Sequence, residues 1–161
     1  VATEPSYAGA SFDEISFKEV VAEAEQGGAR YDVIYFNAAL QFLKLDDALA
    51  GAAKLLAPGP ASRMVLSHLS GAAFVRKERE ESATTVISTM PSLAELKAAA
   101  QRLGLQVAIP SFFGSETGEI EAAMDDFYLV ILRWDVAHGG VDGETGLLST
   151  TPAPDADTDI P

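Results

Sequence analysis

The feature that most constrains the fold is an alternation between short, mostly apolar segments and longer segments with a helical stripe of apolar residues. The strand-type segments lie at residues 32–36, 63–66, 106–109 and 127–134. The helix-type segments lie at residues 17–26, 45–57 and 71–81, and in a fourth segment that follows Ser92. This alternation predicts βαβ units, and therefore an α/β domain with a parallel sheet that helices cover on both faces.

Three of these segments carry specific markers. Ser92 and Glu95 form a capping-box pattern that opens an amphipathic helix, which Gly104 is expected to end. The segment FYLVILRW at 127–134 is too apolar for an edge strand, so it predicts a central one. The run DVIYF at 32–36 predicts a strand that is buried on both faces and that ends at Asn37.

Charge and composition exclude several classes of function. The chain has 11 Lys and Arg against 24 Asp and Glu, and a net charge of −13 repels nucleic-acid backbones and anionic lipid. We therefore expect no nucleic-acid partner. No window is long and apolar enough for a bilayer span, so no membrane insertion is expected either. The absence of cysteine excludes disulfides, thiolate metal sites and a cysteine nucleophile.

The 161 residues divide into three parts by composition. Residues 1–10 form a small, polar arm, residues 11–134 form the α/β domain, and residues 135–161 form a Gly- and Pro-rich tail. The tail has six acidic residues and no Lys or Arg, so it cannot bury enough apolar surface to order itself. We expect it to lie against another protein chain.

A family resemblance rests on the segment YDVIYFNAALQFLKLDDALAGAAKLLAPG at 31–59 and on the order of the elements after it. An Asp opens a strand, a helix follows, and a Leu-Leu-x-Pro-Gly turn leads to the next strand. The segment resembles the C-terminal half of a class I S-adenosylmethionine-dependent methyltransferase. This resemblance implies a partial Rossmann-like sheet, made of strands four to seven of the family, in which the last strand is antiparallel between its neighbours.

The sequence departs from this family in one respect. The family binds its cofactor at a glycine-rich turn after the first strand and at an acidic residue after the second, and neither motif is found here. Gly27 and Gly28 follow a helix rather than a strand. The strand at 32–36 is therefore expected at an open edge of the sheet. Because open apolar edges favour aggregation, we expect this edge to contact another protein chain.

Three residues are candidates for a site, and each has a simpler explanation. The resemblance places Asn37 near the adenine or the methyl acceptor, but an Asn at this point can also cap the turn. It places Asp13 near the adenine, but Asp is also common before a helix. His68 follows the second strand and could act as a base toward an acceptor hydroxyl or amine, or it could be a hydrogen-bonded structural residue. No residue spacing predicts a metal site.

Two functional hypotheses follow. The first is a non-catalytic, methyltransferase-like subunit of a larger assembly, which needs no cofactor. The second is the C-terminal part of an active methyltransferase, whose S-adenosylmethionine-binding half lies upstream of Val1. The missing cofactor motif and the open edge favour the first hypothesis. The chain begins without Met or a signal pattern, so we expect a soluble protein of the cytoplasm or of an organelle interior after processing.

Overall fold

A computed structural model describes residues 15–135 of the protein. This part of the chain contains five α-helices and four strands, together with short 3-10 helices at Leu40–Phe42 and Ser111–Phe113. In chain order the elements are α1 (Phe17–Gly27), β1 (Val33–Asn37), α2 (Leu45–Leu55), β2 (Arg63–His68), α3 (Gly71–Glu81), α4 (Leu93–Arg102), β3 (Leu105–Ala108), α5 (Thr117–Asp126) and β4 (Tyr128–Trp134).

The four strands form one mixed sheet in the order β1-β2-β4-β3. β1 and β2 are parallel, while β4 is antiparallel to both β2 and β3. The predictions of an α/β fold and of an antiparallel last strand between its neighbours are therefore confirmed, and β4 is central as its apolar sequence predicts. The parallel pairing that the alternation of strands and helices predicts is found between β1 and β2 alone among the described strands. Within residues 15–135, β1 has no strand on its outer side.

One face of the sheet forms the core. Its side chains alternate along the strands and include Met64 and Leu66 on β2 and Val130 and Leu132 on β4, all of which are 0% exposed. Three contacts connect this face to helices. The ring of Phe36 packs edge-on against Phe17 of α1. Trp134 Nε1 donates a hydrogen bond to the carbonyl of Ala57 after α2, and the Tyr128 hydroxyl donates one to the carbonyl of Pro91 before α4. Helices α1, α2 and α4 therefore cover this face.

The opposite face of the sheet is open in this part of the chain. Val33 and Tyr35 are 52% and 59% exposed, and Arg63 and Arg133 are exposed beside them. Within residues 15–135 helices therefore cover one face and not both, and the prediction that the first strand is buried on both faces is wrong. Apolar runs such as DVIYF do not reveal this, because a run without polar residues gives no alternation to distinguish one face from the other.

Several boundaries differ from their predictions. β1 begins at Val33 and includes Asn37, and β2 continues through Ser67 to His68. Helix α2 ends at Leu55, while α3 has its predicted bounds. Helix α5 was not predicted, because only Ile120 and Met124 are buried along its length and glycines at 114 and 118 interrupt the sequence pattern. The short 3-10 helices were not predicted either.

Two helices begin with complete capping boxes, in which a serine and a glutamate exchange hydrogen bonds: Ser16 with Glu19, and Ser92 with Glu95. The hydrogen bond with the Ser16 side chain lowers the pKa of Glu19 from its ordinary value of 4.5. The hydrogen bond from the backbone of Ser92 lowers the pKa of Glu95 in the same way. A lowered pKa in the folded state means that the stabilisation is present above the unfolded pKa and is lost as the pH falls through the folded pKa.

The free energy of unfolding is therefore expected to fall as the pH is lowered from about 5.5 to about 3.5, where glutamates of ordinary pKa protonate. Urea unfolding at both pH values measures this loss. The variant Glu95→Gln keeps a hydrogen-bonding side chain but cannot titrate, so its loss is expected to be smaller. Equal losses in the two proteins would contradict a contribution from the Glu95 carboxylate.

The arm at residues 1–10 and residues 136–161 of the tail lie outside the described residues. The expectation that the tail contacts another chain therefore stays a prediction. None of the helices between residues 15 and 135 is long and apolar enough to cross a membrane.

Candidate functional site

Polar side chains converge where the parallel strands β1 and β2 end. Asn37, the last residue of β1, is paired in register with Ser67, and His68 ends β2 one residue later. The carboxyl ends of strands are where α/β sheets commonly bind ligands. This end of the sheet is therefore the candidate site.

The first group of the site lies on the open face of the sheet. The hydroxyl of Ser67 lies 2.8 Å from the hydroxyl of Tyr35 and 3.1 Å from Oδ1 of Asn37. Because a serine hydroxyl carries one proton and the amide oxygen can only accept, Ser67 donates to Asn37 and accepts from Tyr35. Ser67 is buried, whereas the other two side chains are exposed. The amide nitrogen of Asn37 remains available for a ligand.

The second group lies on the buried face. His68 and Gln41 are 5% and 3% exposed, and His68 Nε2 lies 3.4 Å from Nε2 of the Gln41 amide. His68 Nδ1 and Gln41 Oε1 are buried without a hydrogen-bond partner among the described residues. The ring of Phe74 lies against the imidazole, with 5.8 Å between the ring centres.

Neither tautomer of His68 gives every polar atom of the His68 and Gln41 side chains a hydrogen-bond partner. If the amide donates to Nε2, the imidazole proton is on Nδ1 and has no acceptor. If the amide is turned so that its oxygen accepts from Nε2–H, then Nδ1 is an unused acceptor. A buried polar atom without a partner costs about 1–3 kcal/mol. A buried pair that carries this cost at the end of a strand is a candidate for binding a ligand or an ordered water.

Backbone hydrogen bonds fix the main chain at Gln41. The carbonyl of Gln41 accepts hydrogen bonds from the backbone N–H groups of Ile87 and Ser88, which lie in the loop between α3 and α4. Ala38, directly after β1, adopts a positive φ of 48°. This conformation is uncommon for a residue with a Cβ, and such strained positions are concentrated at functional sites.

The three residues that the sequence singled out are not brought together. Asn37 and His68 lie at the same end of adjacent strands, but Asn37 contacts Ser67 and its side chain is on the opposite face from His68. Asp13 lies outside the described residues. The partnership with Ser67 also means that Asn37 does more than cap its turn, although no ligand role follows from this contact alone.

Sequence reasoning missed Gln41, Tyr35 and Ser67 as members of the site. Gln41 had a usable signal, since it is the one polar residue in the apolar run AALQFL. Tyr35 and Ser67 needed the register of β1 against β2, which sets which side chains of the two strands are neighbours. Within residues 15–135 no group of three or more His, Asp or Glu side chains could hold a metal ion.

The described residues do not form a glycine-rich cofactor turn. Gly71 follows the end of β2 as the first residue of α3, and it has a positive φ of 69°. A Cβ at this position would overlap the backbone carbonyl of Asp125. The space beside Gly71 is therefore filled by the end of α5 rather than open to a cofactor.

The Gln41 and His68 pair can be tested through stability. Either single variant, Gln41→Leu or His68→Leu, leaves the other polar group buried and alone, so each is expected to lower the free energy of unfolding by about 1–3 kcal/mol. The double variant removes both polar groups and is expected to be close to the wild type in stability. Urea unfolding of the four proteins as a double-mutant cycle measures the coupling. Additive losses would show that the two side chains do not interact.

Comparisons of the sequence with protein-family models and with curated proteins give no match.

Proposed function

We propose that this domain is the acceptor-binding half of a class I S-adenosylmethionine-dependent methyltransferase, which acts when a cofactor-binding half is joined to it. The observation that carries the proposal is the buried pair of His68 and Gln41 at the end of β2, with one unpartnered polar atom on each side chain. A subunit with a purely structural role has no need to retain this cost, because apolar residues of similar size can replace such a pair without loss of stability.

The order of the elements supports the same proposal. A parallel pair of strands with a helix between them, followed by an antiparallel strand at the centre of the remaining sheet, is what the resemblance implies for the last four strands of the family. The outer side of β1 is then the place where the other half would join. Its unpaired backbone groups provide the hydrogen bonds for that junction.

Each group of the site has a proposed task on the acceptor side. His68 receives the proton of an acceptor hydroxyl or amine at Nδ1, whose lone pair is free when Nε2–H donates to the oxygen of the Gln41 amide. Gln41 sets the orientation of the imidazole ring through the contact at Nε2. The Asn37 amide, held by Ser67, orients a polar group of the acceptor. The cofactor itself needs residues from outside 15–135, because these residues hold no open glycine-rich turn.

The second candidate function is a non-catalytic subunit of a larger assembly. It is favoured by one specific observation, which is that none of the four strands in residues 15–135 is followed by a glycine-rich turn and a helix. On this view the edge at 32–36 and the tail at 135–161 bind partner chains, and the polar site is a remnant of an ancestral enzyme.

Binding of S-adenosylmethionine separates the two functions. Residues 1–161 alone are expected to give no saturable binding in isothermal titration up to about 1 mM, because the backbone that usually holds the cofactor is not provided by this chain. The protein isolated in its natural form, with whatever sequence or subunit accompanies the domain, is expected to bind with one site per chain.

Two outcomes would count against this proposal. Failure of the natural form to bind would leave the non-catalytic function as the better account. Saturable binding by residues 1–161 alone would show that this chain is not a half-site, and Asn37 and Asp13 would then be the first residues to test as ligands.

A further inference from the structure

The open face of the sheet carries an apolar row with a pair of arginines beside it. The row crosses all four strands in register and consists of Tyr35, Val65, Ile131 and Ala108. Tyr35 is 59% exposed, and the other three are only partly buried. Val65 and Ile131 have no contact with the core cluster on the other face. Apolar rows that reach the surface in this way are typical of surfaces that a partner covers.

The two arginines add information about the partner. Arg63 and Arg133 lie directly opposite each other on β2 and β4, and both side chains are exposed. Neither forms an ion pair or a side-chain hydrogen bond with any residue in 15–135. Like charges directly opposite on neighbouring strands are destabilising. A carboxylate placed between the two guanidinium groups would convert this repulsion into attraction.

We infer that the open face binds an amphipathic α-helix of a partner polypeptide, with its apolar side on the row and an acidic residue between Arg63 and Arg133. The dimensions agree, because four strands about 4.8 Å apart span roughly 14 Å. A helix with its side chains is about 10–12 Å wide. The arginine pair lies two residues along the strands from the row, which is about 6.6 Å and within reach of the same helix.

Two other occupants fit less well. A second copy docking through the same face would bring two further arginines against the first two, and like charges at an interface oppose association. The chain's own residues 136–161 provide carboxylates, but their content of glycine and proline disfavours a helix. A partner helix meets both requirements at once, since it supplies apolar area and negative charge.

Cross-linking in the natural protein tests this inference. The variant Arg133→Lys keeps the positive charge and provides an amine that a carbodiimide can couple directly to a neighbouring carboxylate. The tagged variant is expressed in its native cells, treated with the reagent, and digested for mass spectrometry. We expect coupling at position 133 to an Asp or Glu of a partner peptide whose apolar residues recur at helical spacing. Arg79→Lys, at an exposed position of α3, is the matched control and should not give this peptide.

Every other result would overturn the inference. Coupling of position 133 to residues 136–161 would identify the tail as the occupant, and coupling to a second copy would identify a homomeric contact. The absence of coupling would mean that no carboxylate lies between the arginines. Failure of cofactor binding, by contrast, would leave this result untouched, because the inference depends on the open face and not on the site at the carboxyl ends of the strands.

Discussion

Replacement of Gly71 by alanine is expected to lower the free energy of unfolding by about 4 kcal/mol, the sum of roughly 1–3 for a strained backbone and 1–3 for overpacking. Gly71 has a positive φ of 69°, and an added Cβ would overlap the carbonyl of Asp125 and come within 2.6 Å of the carbonyl carbon of Asp126. Both contacts are with backbone, which cannot rotate away as a side chain can. Helices α3 and α5 must therefore move apart.

Gly118 provides the matched control for this substitution. It lies inside α5, and a Cβ there would have no neighbour within 4 Å. Gly118→Ala is expected to stabilise the protein by about 0.5–1 kcal/mol, because alanine has the higher helix propensity. Chemical unfolding of both variants measures the difference. A mild effect of Gly71→Ala, similar in size to the control, would mean that α3 and α5 are not closely packed.

The two faces of the sheet predict opposite outcomes for neighbouring substitutions in β2. Met64 is 0% exposed, so Met64→Lys places a charge in the core and is expected to cost about 4 kcal/mol or more. Val65 is the next residue but points to the open face, so Val65→Lys is expected to cost less than about 1 kcal/mol in residues 1–161 alone.

Thermal and urea unfolding of the two lysine variants measures this contrast. By strand propensity alone Val65→Lys would be the more costly change, since valine is β-branched, so a larger loss for Met64→Lys reports on the two faces of the sheet. Similar, large losses would show that the face with Val65 is also packed. The open-face description, and with it the inferred partner helix, would then be wrong.

Sequence reasoning succeeded where a structure depends on nearby residues. The capping box of Ser92 and Glu95 lies within four residues, and α4 begins where it predicts. The apolar length of FYLVILRW was enough to place β4 inside the sheet. These features are encoded by short-range hydrogen bonding and by total hydrophobicity, both of which can be taken directly from the sequence.

It failed where contacts between distant segments decide the outcome. The contact of His68 with Gln41 joins residues 27 positions apart, through a short 3-10 helix that has no strong sequence pattern. The open face depends on which side of the sheet α2 and α4 occupy, and the apolar residues on both faces of β1 and β4 do not specify that side. Asn37 was placed at the correct end of the sheet, yet its partner Ser67 depends on strand register.

The position of β4 also has a consequence for synthesis on the ribosome. Among the strands of residues 15–135, β4 is translated last, yet it lies between two earlier ones, so β2 and β3 share no hydrogen bonds and are connected only through residues 128–134. Until Trp134 leaves the exit tunnel, the nascent chain exposes the edges of both strands and cannot complete its core. The core of the domain therefore closes only after residues 128–134 have emerged, and a ribosome that terminates before residue 128 releases a fragment in which β3 is unpaired and one edge of β2 is open, which makes it prone to aggregate.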